Sequence, residues 1–199
     1  MAVALPIPPT RAVGVPRLFP EPKDLRQTIT GGAVQRISRI GTRFMVSVNL
    51  TGLLAAGCGA TWHARLLRAR GETAVMRVPQ PGLEIGNPGS DVKVYGGGQA
   101  GSRLSVHQMT PGYTVRENQL FHLFINGRHY LHQVTAAAVV SGQGRALLDI
   151  APPLRVTPPD GAHVNFTDVN IEGWVVGFEP KRGGIARVLA VSFDIEEAE

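Results

Sequence analysis

Apolar and polar positions alternate along most of this chain, with a period of two far more often than one of three to four. Between residues 42 and 50, Phe44, Val46, Val48 and Leu50 alternate with Met45, Ser47 and Asn49, the pattern of a half-buried strand. Further strands are expected over 73–78, 171–178 and 186–195, the last two flanking a turn over 179–185 that contains Pro180-Lys181-Arg182-Gly183-Gly184. The strongest local signal is Asn126-Gly127 between two runs of strand formers, 120–125 and 128–134. Both residues of a two-residue hairpin loop need positive φ, which Asn and Gly tolerate, so the pattern predicts a hairpin pairing Ile125 with Arg128 and Leu123 with Tyr130. A second hairpin is expected from 136–140 through Ser141-Gly142-Gln143-Gly144 into 145–150. In the first hairpin Leu123, Ile125 and Tyr130 share one face, and Leu120, Phe124 and Leu131 the other. A sheet apolar on both faces needs cover on both. The Trp62 helix is expected to supply one cover, and a second sheet or a neighbouring subunit the other.

One segment reads as helix, over 53–69. Leu54, Cys58, Trp62 and Leu66 fall on one stripe at four-residue spacing, His63, Arg65, Arg68 and Arg70 lie off it, and Gly71 is a natural stop. This places Trp62 as a core anchor. Two stretches lack regular periodicity. Residues 1–22 carry Pro6, Pro8, Pro9, Pro16, Pro20 and Pro22, which exclude helix and favour extended backbone. Val3, Leu5, Ile7, Val13, Val15, Leu18 and Phe19 make that segment too apolar for a solvating linker. It reads either as a disordered tail or as an arm laid on its own domain or a neighbour. Residues 79–111 read as a long Gly-rich excursion inserted in the domain. The expectation is a mainly β fold, a β-sandwich or split β-barrel with one packed helix. Its organisation is an arm over 1–22 and a single domain over 23–199, with both arm and excursion contacting other subunits.

Composition supports this class, since 24 Gly and 15 Pro among 199 residues favour short strands and turns over long helices. The net charge of +5 permits contact with DNA, but the arginines are scattered; only Arg65, Arg68 and Arg70 cluster, and no Lys/Arg run marks a phosphate-tracking patch. Cys58 is the single cysteine, so no disulfide forms within the chain. His129 and His132 lie three apart on a strand and face opposite sides, as do His122 and His132, which is poor geometry for a metal. Gly96-Gly97-Gly98-Gln99-Ala100-Gly101 is followed by no Gly-Lys-Ser/Thr and opens onto no helix, so it satisfies neither nucleotide motif. No nucleophile elbow or acid/base constellation stands out, and Cys58 lies on the apolar stripe of the helix. A sugar site would need exposed aromatics, and only Tyr95 and Tyr113 lie in loop-like sequence. No catalytic, cofactor or metal residues are therefore assigned. Residues 1–22 lack the basic start and apolar run of a signal peptide, and no run is long enough to span a membrane, so assembly in the cytoplasm is expected. The acidic end, Glu196-Glu197-Ala198-Glu199, reads as a solubilising tip.

The order of several weak motifs resembles a family of tailed-bacteriophage and prophage tail proteins. A strand precedes a Trp-containing helix ending Leu66-Leu67-Arg68-Ala69-Arg70-Gly71, and a further strand leads into the Gly-rich stretch. Pro111-Gly112 precedes the hairpin that ends in Tyr130-Leu131-His132-Gln133-Val134-Thr135. Pro152-Pro153-Leu154-Arg155, then Pro159-Asp160-Gly161, follow, and a last Phe-containing strand ends in acids over 192–197. The resemblance covers roughly 44–197. It departs over 73–79, where Val75, Met76 and Val78 stand in place of an aromatic-rich run.

The resemblance implies a distal tail protein of a long-tailed, non-contractile phage. Such a subunit forms a six-fold homo-oligomeric ring at the end of the tail tube, around the DNA channel, and joins the tube protein to baseplate hub or tip fibre proteins. It implies a virion component without enzyme activity, cofactor, membrane contact or sequence-specific DNA binding. Other tail components (a terminator, a tube-capping adaptor, a hub) fit the same pattern. A tail-associated hydrolase or a carbohydrate-binding module is the alternative from another class.

Overall fold

The computed structural model describes residues 2–19, 25–26, 35–36, 41–54, 57–182 and 188–198. The protein is mainly β with one short helix. In chain order the elements are β1 (Val3–Ala4), a 3-10 turn (Thr10–Ala12), β2 (Arg17–Phe19), β3 (Leu25–Arg26), β4 (Gln35–Arg36), β5 (Arg43–Leu54), α1 (Cys58–Arg68) and β6 (Ala74–Arg77). Then come β7 (Lys93–Val94), β8 (Gly101–His107), β9 (Thr114–Val115), β10 (Leu120–Ile125), β11 (Arg128–Val134), β12 (Ala138–Val139), β13 (Ala146–Leu154) and β14 (His163–Asn165). The long strands β15 (Asn170–Arg182) and β16 (Val188–Glu197) close the chain.

Most of these strands build two bodies, each with a hydrophobic core, while β9 with β12 and β3 with β4 form two-stranded sheets. A six-stranded sheet has the order β1-β6-β15-β16-β5-β2, and a closed barrel has the order β10-β11-β13-β8-β7-β14. Phe44, Val46, Val48 and Leu50 of β5 point with Phe193 and Ile195 of β16 into the first core, under Trp62 and Leu66 of α1. Val94, Leu104, Val106, Phe121, Leu123 and Leu148 fill the barrel. The barrel is an insertion: β6 and β15 pair directly, Ala74 with Gly173 and Met76 with Ile171, and all barrel strands lie between them in sequence. Only two connections, 78–92 and 166–169, join barrel to sheet along the chain.

The Asn-Gly hairpin has the expected register, Ile125 with Arg128 and Leu123 with Tyr130, with φ of 51° at Asn126 and 79° at Gly127. Gly127→Val would force a β-branched residue into left-handed backbone, and should cost about 1–2 kcal/mol in a urea titration. The hairpin is covered on both faces, with a second sheet as one cover, as expected, and the barrel interior in place of the helix as the other. Leu123, Ile125 and Tyr130 belong to the barrel core, while Leu120 and Leu131 enter the core of the six-stranded sheet. The Trp62 helix covers that sheet instead, with the Trp62 and Phe193 ring centroids 6.0 Å apart.

Several expectations need correction. The helix spans Cys58–Arg68, not 53–69, because β5 runs on through Leu54 and Gly57 breaks the chain at φ 98°. The buried stripe is Gly59, Trp62, Leu66 and Ala69, and Cys58 is exposed. The second hairpin does not form as a ladder. β12 pairs with β9, β13 pairs with β8 and β11, and 141–144 is a turn held by the Ser141 N–H on the Arg145 carbonyl. The stretch 79–111 is not simply a loop excursion, since it supplies β7 and the seven-residue β8 to the barrel. The turn expected over 179–185 begins later, as β15 continues to Arg182; residues 183–187 lie outside the described ones.

The N-terminal arm, described from residue 2 to 19, is laid on its own sheet. Val3 and Ala4 pair in parallel with Ala74 and Val75, Val13 bridges to Val48, and β2 pairs with β5. Val3, Leu5 and Ala12 are buried in the first core. Of the readings open for this segment, a disordered tail or an arm on its own domain or a neighbour, residues 2–19 take that of an arm on their own domain, and removing them would cost the fold part of its core.

Candidate functional site

Titratable groups gather in one place, the junction where the outer face of the β10–β11 hairpin meets the six-stranded sheet. The geometry follows from hairpin register. Beside a two-residue turn the pairs Ile125–Arg128, Leu123–Tyr130 and Phe121–His132 exchange ladder bonds, so the N–H groups of His129 and Leu131 point away from β10. On that side β13 pairs with β11 only at Gln133 and Val134. Two donors of the barrel wall therefore need acceptors from elsewhere.

Glutamates from the sheet supply them. The His129 N–H donates to Glu172 Oε2 at 3.1 Å, and the Thr73 hydroxyl donates to Glu172 Oε1 at 3.1 Å. The Leu131 N–H donates to Glu197 Oε1 at 2.6 Å, and the Phe44 N–H of β5 donates to Glu197 Oε2 at 3.1 Å. Arg155, just past β13, forms an ion pair with Glu197 Oε2 at 2.7 Å and lies over the Tyr130 ring at 5.6 Å. Glu197 is 1% exposed, so the acidic end of the chain is not a solubilising tip. Its neighbour Glu196 is ion-paired with Arg43. Both belong to β16, and Glu197 lies opposite Gly173. A Cβ at Gly173 would fall on the Glu196 backbone, so only glycine lets the two strands come this close.

Histidines complete the junction. His122 Nδ1 accepts the Asn170 N–H at 3.1 Å, and its ring meets that of His129 edge-on at 4.6 Å. On the other face of the hairpin His132 stacks on Phe121, and its Nδ1 is 3.0 Å from the Pro152 carbonyl. Burial pushes His122 down to about 3, helped by the charge of His129, and pushes His132 down to about 4, helped by Arg155 against the pull of the Pro152 carbonyl. Burial also lowers His129, opposed by Glu172. For Glu197 burial acts in the other direction and raises the carboxyl to about 7, against Arg155 and the two backbone N–H groups.

The opposed faces of His122 and His132 were legible from alternation. The juxtaposition of His122 with His129 was not drawn from it, although the register of Phe124 on His129 makes them diagonal neighbours on one face. Among the described residues no group of three or more His, Cys, Asp or Glu could hold a metal ion. The Gly-rich loop is tied into the barrel: the Gly96 N–H donates to Asp160 Oδ1 at 2.8 Å, and Gln99 braces Gly96 and Ser105. Tyr113 is tied to the Ile85 carbonyl, and Tyr95 is stacked under Arg145 at 4.1 Å. Two surface clefts are lined by neither the glutamates nor the histidines of the junction. One of about 120 Å³ is lined by the arm at Val13–Pro16, by Gln80 and by Leu120; another of about 320 Å³ is lined by Ile7, Pro8 and Arg77. Neither lining pairs a nucleophile with a base. The chemistry of the junction is hydrogen-bond acceptance by buried groups, which fixes one body against the other.

No protein-family model matches the chain, and no curated protein matches it.

Proposed function

We propose that the chain is a structural subunit of a phage tail tip, a distal tail protein of a long-tailed, non-contractile phage. Copies assemble into a six-fold ring around the DNA channel and join the tube protein to the baseplate hub or tip fibre proteins. DNA passes through without being read. The observation that carries the reading is a pair of large apolar side chains side by side on one face of β15, Trp174 at 49% exposed and Val176 at 42%, on a thirteen-residue strand. A Trp in such a position is a frequent anchor of protein–protein interfaces. The order of motifs along the chain and the mainly β architecture support the same reading. Among the described residues no strand pairs with the outer edge of β2.

Mass photometry and negative-stain microscopy of the purified chain test it. A closed ring is expected, and Trp174→Glu should leave a folded monomer in its place. A wild-type chain that stays monomeric at micromolar concentration, alone and with tube protein, would overturn the assignment.

A further inference from the structure

We propose that copies of this chain join edge to edge, the β2 edge of one laid along the outer edge of β15 in the next, so that one sheet runs on through successive subunits. The inference rests on the proposed ring and names the contact that builds it.

Backbone direction alternates along a strand, so a few bonds fix which groups face outward. The Ala198 N–H on the Glu172 carbonyl turns Glu172, Trp174 and Val176 toward β16. The Val78 N–H on the Val169 carbonyl turns the odd-numbered positions, 169 to 175, toward the β6 side. β6 pairs with β15 only at Asn170–Gly173, so Val175 presents its N–H and carbonyl where no described strand lies. Past the bulge between Val176 and Glu179 the outward position is Pro180, which has no N–H and ends the usable edge. At the far side of the sheet the Gly14 N–H donates to the Ser47 carbonyl, so Met45 and Arg43 face β2 and share its bonds with Arg17 and Phe19. Leu18, between them, faces outward, and no described strand pairs with it there. The β1 edge is not equivalent, since Arg65 donates to the outward Ala4 carbonyl at 2.8 Å.

Side chains select a second copy, joined head to tail. Val13 and Leu18 at the β2 edge, like Val175 and Phe178 at the β15 edge, are half-buried and packed against the same core. Joining the two edges covers both ends of that apolar layer with each other. Across the outer face Arg17, Met45, Glu196 and Trp174 form one row of directly opposed residues. Edge-to-edge pairing brings the exposed Trp174 of one copy to the exposed Arg17 of the next, a cation for the indole face. Charge excludes the symmetric alternatives. Residues 2–19 carry Arg11 and Arg17 and no acid, whereas 170–179 carry Glu172 and Glu179 and no cation. Pairing like edges sets like charges against each other, and pairing unlike edges does not. A contact between two different edges is heterologous, so it repeats from copy to copy and makes a ring where the rotation closes.

Two blocked variants test the contact. Val175→Pro and Leu18→Pro each remove an outward N–H and leave the β15–β16 and β2–β5 bonds in place. By mass photometry at micromolar concentration each alone should be monomeric. Mixed, they should form a one-to-one heterodimer, because each keeps the edge that the other lacks. Either variant closing a ring by itself, or a mixture that stays monomeric while the wild type closes a ring, would overturn the edge contact and leave the ring reading standing. A wild-type chain that never oligomerises overturns both. Should a variant not fold, amide exchange of the wild type decides. From dilute monomer to ring, the Val175 and Leu18 amides should gain protection at least tenfold more than Gly142 in the exposed 141–144 turn. An equal change at all of them, in a ring that does form, refutes the contact.

Discussion

Glu197→Ala should be among the most destabilising single substitutions in this protein, at about 3–5 kcal/mol, although it lies two residues from the end of the chain. Truncating one partner of a buried ion pair leaves the other charge uncompensated, and Arg155 has its side chain 8% exposed and no acceptor at Nε. The same change orphans two backbone donors, Phe44 N–H and Leu131 N–H, from two different bodies. A thermal midpoint lower by roughly 6–20 °C is the readout. The double variant Glu197→Leu with Arg155→Met separates the two costs. It removes both charges, and apolar replacement of a buried ion pair is often neutral or stabilising. It leaves the two N–H groups without acceptors, each worth about 1–3 kcal/mol. The double variant should therefore recover part of the loss and stay about 2 kcal/mol or more below the wild type. Full recovery would mean that the carboxylate serves only Arg155 and that the clasp on β11 is energetically empty.

The clasp also explains how much of the molecule could be read in advance. The Asn126-Gly127 turn fixes its register through local backbone chemistry, and from that register the two faces of the hairpin follow, one for each core. Helix α1 was legible in kind but not in position. Leu53 and Leu54 fit a helical stripe and a strand equally well, and pairing of Leu53 with Leu189 decides for the strand. β8 was hidden by its surroundings. Its buried Leu104 and Val106 alternate correctly, but glycines lie on either side and its partners Leu148 and Ala146 are some forty residues away. Glu197 was the least legible of all. A terminal acid reads as solvated unless one knows that β11 has two unpaired N–H groups beside it, and this depends on β13 pairing with β11 only at Gln133 and Val134. Such a vacancy is a property of three strands together, not of any segment.

Trp62→Ala should cost about 3–5 kcal/mol, the other large effect expected here. Trp62 is 2% exposed, and its ring packs at 43° against Phe193, which in turn pairs across to Val48. Truncation opens a cavity between α1 and the sheet that Leu66 and Ala69 cannot fill, because their backbone is fixed by the same helix. The choice of control separates the observed stripe from the one that four-residue spacing suggested. If Cys58 lay on the buried face, Cys58→Ser would place a hydroxyl in the core and cost 1 kcal/mol or more, on the order of a buried unsatisfied polar group. With Cys58 exposed in the first turn of α1, the change should stay within about 0.5 kcal/mol. Urea midpoints of the two variants against the wild type give the answer. A large loss at position 62 with none at 58 places the helix face on Gly59, Trp62, Leu66 and Ala69; equal losses would place it one turn earlier, with β5 ending before Leu53.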